Sequence, residues 1–352
     1  MKYFIWIFLV LLIIFRFITS QPDYKNGDTV RITTIVFSDP INYGNYQTFN
    51  AAGLKIYLPA FPEIYYGDKV IIEGFVDGKK LINAKQISVE TYSGFGSEIR
   101  AKIIDFYQKT LPQPMSGLIA GITLGSKRSL TSDFWEKVKN TGVAHVVVAS
   151  GTNITFVISF IFGVTSFFLS RRKSISIVLL SILLYLFISG FEAPLIRASI
   201  MATVAFTAQS SGRLLNAWRN LFLTGMIMLV FRPDWIMDIG FALSFVSTAS
   251  IMLFEKKVAN LLKFMPRFLK EGFSTSLSAQ IGVAPILFVS FGQFNIFSPI
   301  INMLVLWTIP YIMIFGFIGG VLGLTMSLLG KLILYLCYPL TWWFTAIVSV
   351  FS

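Results

Sequence analysis

What most constrains this chain is a series of apolar runs close to the length of a bilayer span, at about 144–169, 175–189, 194–211, 217–232, 235–254, 273–291, 297–323 and 329–350. About 20 apolar residues wound as a helix cross the ~30 Å of hydrocarbon in a membrane. Lipid offers no hydrogen bonds to a bare peptide group, so runs of this kind must close their backbone bonds internally, as helices do. A ninth run, residues 3–18, follows Lys2. It reads as an uncleaved anchor, because Arg16 and Ile18 fit poorly in a cleavage region; Thr19-Ser20 keeps a signal peptide as the rival reading. The chain is 55% hydrophobic and 13% charged, where soluble domains carry about 25% charged residues. A multi-pass membrane protein is the expectation.

The formal net charge of +12 invites a nucleic-acid reading, and its distribution weakens it. Residues 20–113 hold ten basic and ten acidic side chains, so the excess lies elsewhere. Much of it sits in loops between apolar runs: Arg171-Arg172-Lys173, then Arg213 to Arg219, then Lys256, Lys257, Lys263, Arg267 and Lys270. These loops follow every second span, and the opposite loops are short and poor in Lys and Arg. The positive-inside rule then puts Lys2 inside, the segment before the spans outside and the C-terminus outside. One histidine, His145, and one cysteine, Cys337, exclude an internal disulfide and the multi-ligand clusters of metal-dependent hydrolases. No catalytic residue, metal or cofactor is expected on this chain.

From Asp23 to about Tyr92 the pattern turns to strands, as in Thr29-Val30-Arg31-Ile32-Thr33 and Lys69-Val70-Ile71-Ile72-Glu73. Asn26-Gly27-Asp28-Thr29-Val30 is echoed by Tyr66-Gly67-Asp68-Lys69-Val70, and Asp77-Gly78 is a hairpin signal. About five strands over this length suit a small closed barrel such as an OB-fold. Residues 94–143 are amphipathic. Ile99, Ile103, Ile104 and Tyr107 share one face, with Arg100, Lys102 and Lys109 elsewhere; 115–124 is apolar and too short to cross alone, so it lies at the interface or dips in. Thr131-Ser132-Asp133 is expected to cap a helix through Lys139. The fold class is thus a polytopic α-helical membrane protein with a small, OB-like β-barrel extracytoplasmic domain. Its divisions are 1–20 (anchor), 21–93 (β-domain), 94–143 (amphipathic or interfacial helices) and 144–352 (membrane core).

An ordered set of short motifs adds to this. They are Leu124-Gly125-Ser126-Lys127-Arg128-Ser129-Leu130, Thr141-Gly142-Val143-Ala144-His145, Ala149-Ser150-Gly151, Pro194-Leu195-Ile196-Arg197-Ala198-Ser199-Ile200-Met201, Gly212-Arg213, Arg232-Pro233, Asp238-Ile239-Gly240-Phe241-Ala242-Leu243-Ser244-Phe245, Ala279-Gln280, Pro285, Phe291-Gly292 and Asn302. In this order they resemble the competence domain of the ComEC family, inner-membrane channels for transforming DNA. The family layout of anchor, OB-like domain and polytopic core covers nearly the whole chain. Two strings depart from it. An apolar residue and His usually follow Ser-Gly where this chain has Thr152-Asn153, and Ala242 stands where the family has Gln. Many members also carry a C-terminal metallo-β-lactamase-like domain; this chain stops after its last span, and one His cannot supply that chemistry.

The resemblance implies a membrane channel translocating single-stranded DNA during natural transformation. Its partners would be single-stranded DNA, the lipid bilayer, a DNA receptor, a separate nuclease and a cytosolic ATPase. Ser150, Gly151, Thr152 and Asn153 interrupt the run 146–168, and together with Arg197, Ser244 and Asn302 they are the candidates for the DNA path. Close helix packing is the alternative use of the small residues, and a pair with Glu192 or Asp238 is the alternative for Arg197. Lys127, Arg128 and His145 are candidate outer-mouth contacts, or ordinary interfacial residues. Asp238 is expected at a helix start, and Gly316-x-x-x-Gly320 and Gly319-x-x-x-Gly323 in helix packing. A transporter or flippase of an anionic or lipid-linked substrate, and a membrane scaffold, are the alternative functions.

Overall fold

The computed structural model describes residues 2–19, 24–37, 39–90, 95–148, 150–210, 212, 216–263, 265–291 and 295–352. The motif residues Ala149, Arg213 and Gly292, and Ser20 of the alternative cleavage site, lie outside the described residues. A first helix, Lys2–Thr19 (α1), precedes six strands: Thr29–Ile35 (β1), Ile41–Asn42 (β2), Tyr46–Ala51 (β3), Leu54–Pro59 (β4), Lys69–Asp77 (β5) and Lys80–Glu90 (β6).

The Gly-Asp echo has a structural meaning. Gly27 and Gly67 sit at φ +91° and +92°, a region that only glycine enters without strain. The Asp28 carboxylate accepts from the Lys25 N–H at 3.1 Å, and Asp68 accepts from the Tyr65 N–H at 2.7 Å. The two turns flank the antiparallel β1–β5 ribbon with near two-fold symmetry. Gly27 N–H donates to Val76 and Val76 N–H to Asp28; Gly67 N–H donates to Val36 and Val36 N–H to Asp68. The β5–β6 hairpin turns at Gly78, as its Asp-Gly pair requires.

The sheet runs β1-β5-β6-β4-β3-β2, antiparallel except for β4 beside β6. Its buried face carries Ile32, Phe49, Ile56, Ile72 and Leu81. This is an open, mixed, six-stranded sheet where the sequence suggested about five strands in a closed barrel. β1 and β2 are its two edges, and the two residues of β2 offer almost no ladder for closure.

The helices that follow are Phe95–Thr110 (α2), Met115–Leu124 (α3), Ser132–Asn140 (α4), Ala144–Val147 (α5), Gly151–Phe168 (α6), Arg171–Ser189 (α7), Ala193–Ser210 (α8), Ala217–Phe231 (α9), Ile239–Leu261 (α10), Arg267–Phe291 (α11), Ser298–Val305 (α12), Ile309–Gly323 (α13) and Ser327–Phe351 (α14). Among the described residues six helical segments are long and apolar enough to cross a membrane: Ala144–Phe168, Arg171–Ser189, Ile239–Leu261, Lys270–Ser290, Ser298–Gly323 and Ser327–Phe351. The sequence runs suggested nine. α8 carries Arg197 and Gln209 within its 18 residues, and α9 has 15 residues.

Local signals place several helix ends. Thr131 caps α4 by accepting from the Phe134 N–H, and Asp238 caps α10 by accepting from the Phe241 N–H at 2.7 Å. The α13 glycines let neighbours close in. A Cβ at Gly316 would lie 2.8 Å from Thr123, and one at Gly320 would lie 2.5 Å from the Tyr107 oxygen. α3 is buried in all ten of its residues, so it is a core helix of the bundle. Arg100 also departs from expectation. It is 3% exposed, on the same side of α2 as Ile103 and Tyr107, because residues three, four and seven apart share a helical face.

Candidate functional site

The run 146–168 is broken where its small polar residues stand. Val148 and Ser150 are extended, at ψ 149° and 170°, so α5 ends and α6 begins anew at Gly151. Ser150 Oγ meets Thr152 Oγ1 and lies 3.4 Å from Asn153 Oδ1. Thr152 is exposed, whereas Asn153 is fully buried. The four residues thus divide. Ser150, Gly151 and Thr152 form the open side of the break, and Asn153 clamps its inner side by donating to Ile122 O at 2.7 Å.

Arg197 and Ser244 join the open side from two other helices. Arg197 Nε donates to Ser244 Oγ at 2.6 Å, and Nη1 reaches Met201 Sδ at 3.5 Å. A Cβ at Gly151 would stand 3.2 Å from Arg197 Nη2 and 3.2 Å from Ala198 Cβ, so glycine is what lets the guanidinium approach the break. Among the described residues no carboxylate lies within ion-pair distance of Arg197. The two acids that sequence reasoning offered as partners are committed elsewhere: Glu192 pairs with Lys127 at 2.7 Å, and Asp238 caps α10. An Arg held between helices by one hydroxyl and a thioether keeps most of its donors for another ligand, since guanidinium presents five.

Asn302 lies apart from this group. It is buried in α12 and donates to Ser276 Oγ on α11 at 2.7 Å. His145 is exposed on α5, with Nδ1 3.2 Å from Gly142 O. Lys127 and Arg128 are both ion-paired, the first to Glu192 and the second to Glu63 of the β-domain. Arg128 also donates to Ile64 O at 3.1 Å and stacks 4.0 Å over the Tyr65 ring.

Sequence reasoning missed the pair Arg100–Asp39, at 2.8 Å, which joins α2 to the β-domain. Its signal was the spacing of Arg100 to Ile103, Ile104 and Tyr107. Arg100 also stacks 4.9 Å over Tyr66, whose hydroxyl donates to Phe187 O at 3.2 Å. Burial pushes the Tyr66 hydroxyl above its ordinary value, against the pull of Arg100, and keeps it a neutral donor. Tyr185 was likewise unread; its hydroxyl donates to Thr123 O at 2.9 Å. Among the described residues no group of three or more His, Cys, Asp and Glu could hold a metal ion.

Six helical segments long and apolar enough to span a membrane among the described residues, a β-sheet docked beside them and a polar break inside one of them define a multi-pass helical membrane protein. The sequence model of the competence protein family matches residues 122–352, and the chain belongs to that family. It is similar to ComE operon protein 3 of Bacillus subtilis strain 168, 26% identical over 230 residues, which covers 65% of this chain and 29% of that protein. It is also similar to an uncharacterized protein of Aquifex aeolicus strain VF5, 28% identical over 202 residues, 57% of this chain and 46% of that one. The chain therefore spans less than half the length of either relative. No solved structure matches it.

Proposed function

We propose that this protein forms a path by which single-stranded DNA crosses the cytoplasmic membrane during natural transformation. The observation that carries the reading is Arg197, a cation without a carboxylate partner among the described residues, set against a break lined by Ser150, Gly151 and Thr152 with Ser244 beside it. A phosphodiester chain cannot enter hydrocarbon, and a bore crowded with cations would trap it, since conduction needs binding weak enough to release. One guanidinium among hydroxyls meets both demands. It can hold a phosphate through two parallel donors and pass it on. Asn302 belongs to the path only as a more remote polar contact, and Lys127, Arg128 and His145 as contacts at its outer mouth.

In this reading residues 1–20 anchor the chain, 21–93 form a β-sheet domain outside, 94–143 support it and 144–352 are the membrane core. The N-terminus is inside and the C-terminus outside, as the basic loops suggest. The β-domain guides DNA without holding it tightly, given its balanced charge. No catalytic step falls to this chain; a receptor and a nuclease outside and an ATPase within act from separate proteins. The test is labelled-DNA uptake in a strain lacking only this gene. Uptake should vanish while DNA still binds the cell surface, and normal uptake would overturn the proposal.

A further inference from the structure

The last turn of α3 draws its partners from three other helices. Gly125, at φ +72°, lets its own N–H and that of Ser126 fold back on Gly121 O and Ala120 O. The next three carbonyls have no intrahelical donor left, and each is taken by a side chain from a different helix. Ile122 O accepts from Asn153 of α6 at 2.7 Å, Thr123 O from Tyr185 of α7 at 2.9 Å and Leu124 O from Arg100 of α2 at 2.6 Å. Arg100 also takes Ile188 O, near the end of α7, at 2.7 Å. A cation placed between two helix C-termini is favoured by both dipoles.

The loop leaving this turn continues the pattern. Lys127 pairs with Glu192, the residue just before α8, which carries Arg197; Arg128 pairs with Glu63. One turn and its loop, residues 122–128, thus hold the β-domain on one side, through Asp39–Arg100 and Glu63–Arg128. On the other side they hold both walls of the break, through Asn153 on α6 and Glu192 ahead of α8.

We infer that residues 122–128 couple the two regions, so that the seating of the β-domain sets the spacing between the break at 150–153 and Arg197. This rests on the reading of those residues as the conducted path and assigns its regulation to the outer domain. The links are side-chain contacts to helix-end carbonyls and ion pairs between side chains, so a small shift of the β-domain moves polar groups rather than packed apolar faces. Loosening either ion pair changes access to the break, and a partner that reseats the β-domain acts by the same route.

The test reads access directly. Thr152→Cys is placed in the full chain in membrane vesicles and labelled with a membrane-permeant maleimide; the buried Cys337 sets the background. Arg128→Glu should change the labelling rate by at least about fivefold, the low end of ordinary coupling between sites. The swap Glu63→Arg with Arg128→Glu should bring it back toward the parent rate. Labelling of Ser166→Cys, at the far end of α6, should not move. If it does, Asp39→Asn replaces Arg128→Glu under the same criterion. An unchanged rate at position 152, or a swap that restores nothing, overturns the inference. DNA plays no part in this assay, so its failure is distinct from failure of the uptake experiment.

Discussion

The two sides of the broken helix are built differently. On one side α13 and α14 pack against α2 and α3. The most apolar stretch of Ser298–Gly323 is 44% buried, and Gly316, Gly320 and Gly323 lie against the side chains of α2 and α3. On the other side the most apolar stretches of Ile239–Leu261 and Lys270–Ser290 are only 11% buried, and their contact includes small polar groups such as Ser250, which donates to Ser278 O at 2.6 Å. Close van der Waals contact drives helix association in lipid, where no hydrophobic effect operates between helices. The first side is a frame. The second side, where Arg197 meets Ser244, buries a smaller share of its apolar surface against the rest of the protein.

The largest effect should come from disturbing the frame. Gly320→Leu would push a side chain into the Tyr107 hydroxyl, 2.5 Å from the first added atom. It should destabilise the protein by about 3 kcal/mol, the upper range for overpacking, read as lost folded protein in detergent melting. Next comes the loose side, where function and stability should separate. Arg197→Ala should cut DNA uptake by tenfold or more, about 1.4 kcal/mol of lost phosphate interaction, with the melting midpoint nearly unchanged. Arg197→Lys should recover part of the uptake, because it keeps the charge without the planar fork. A large fall in melting with Arg197→Ala would make that residue part of the frame and erase the contrast.

A smaller effect is expected from Gly163→Ala in α6, where an added Cβ meets nothing within 4 Å. Helix propensity alone should raise stability by up to about 1 kcal/mol, the opposite sign to Gly320→Leu. The smallest lies in the β-domain. Burial pushes the Asp68 carboxyl above its ordinary value, against the Tyr65 N–H and Arg128. A raised carboxyl favours the folded state only while it is protonated, and that contribution is lost as pH rises through the folded value. Asp68→Asn keeps an acceptor for Tyr65 N–H, so it should melt slightly higher than the parent near pH 7. The gain should disappear once the parent carboxyl is protonated, below about pH 4.

Much of this was legible from the chain. Thr131 and Asp238 cap the helices they precede, Asp77-Gly78 turns its hairpin, and the small residues at 150–152 break their span. The path candidates were legible as a set but not as an arrangement. Ser244 and Arg197 meet across 47 positions, while Asn153 turns inward and Asn302 sits on another helix pair. The closed barrel was not fulfilled, because strand count fixes neither register nor which strand takes the edge. Arg100 was placed on the polar side by its charge although its spacing put it with Ile103 and Tyr107; a buried cation is tolerated only where partners converge, and those partners come from elsewhere in the chain.

The amino-acid sequence by itself determined the membrane character of the chain, the strand-patterned insert, the turn glycines and the helix caps. Each of these follows from periodicity or dihedral demand within a few neighbouring residues. Only the tertiary structure decided which charges are spoken for. Asp39 and Arg100 are 61 positions apart, and Lys127 and Glu192 are 65 apart. No local rule joins them. Packing brings such groups together, and by committing Glu192 and Asp238 elsewhere it leaves Arg197 without a carboxylate partner among the described residues, beside the broken helix.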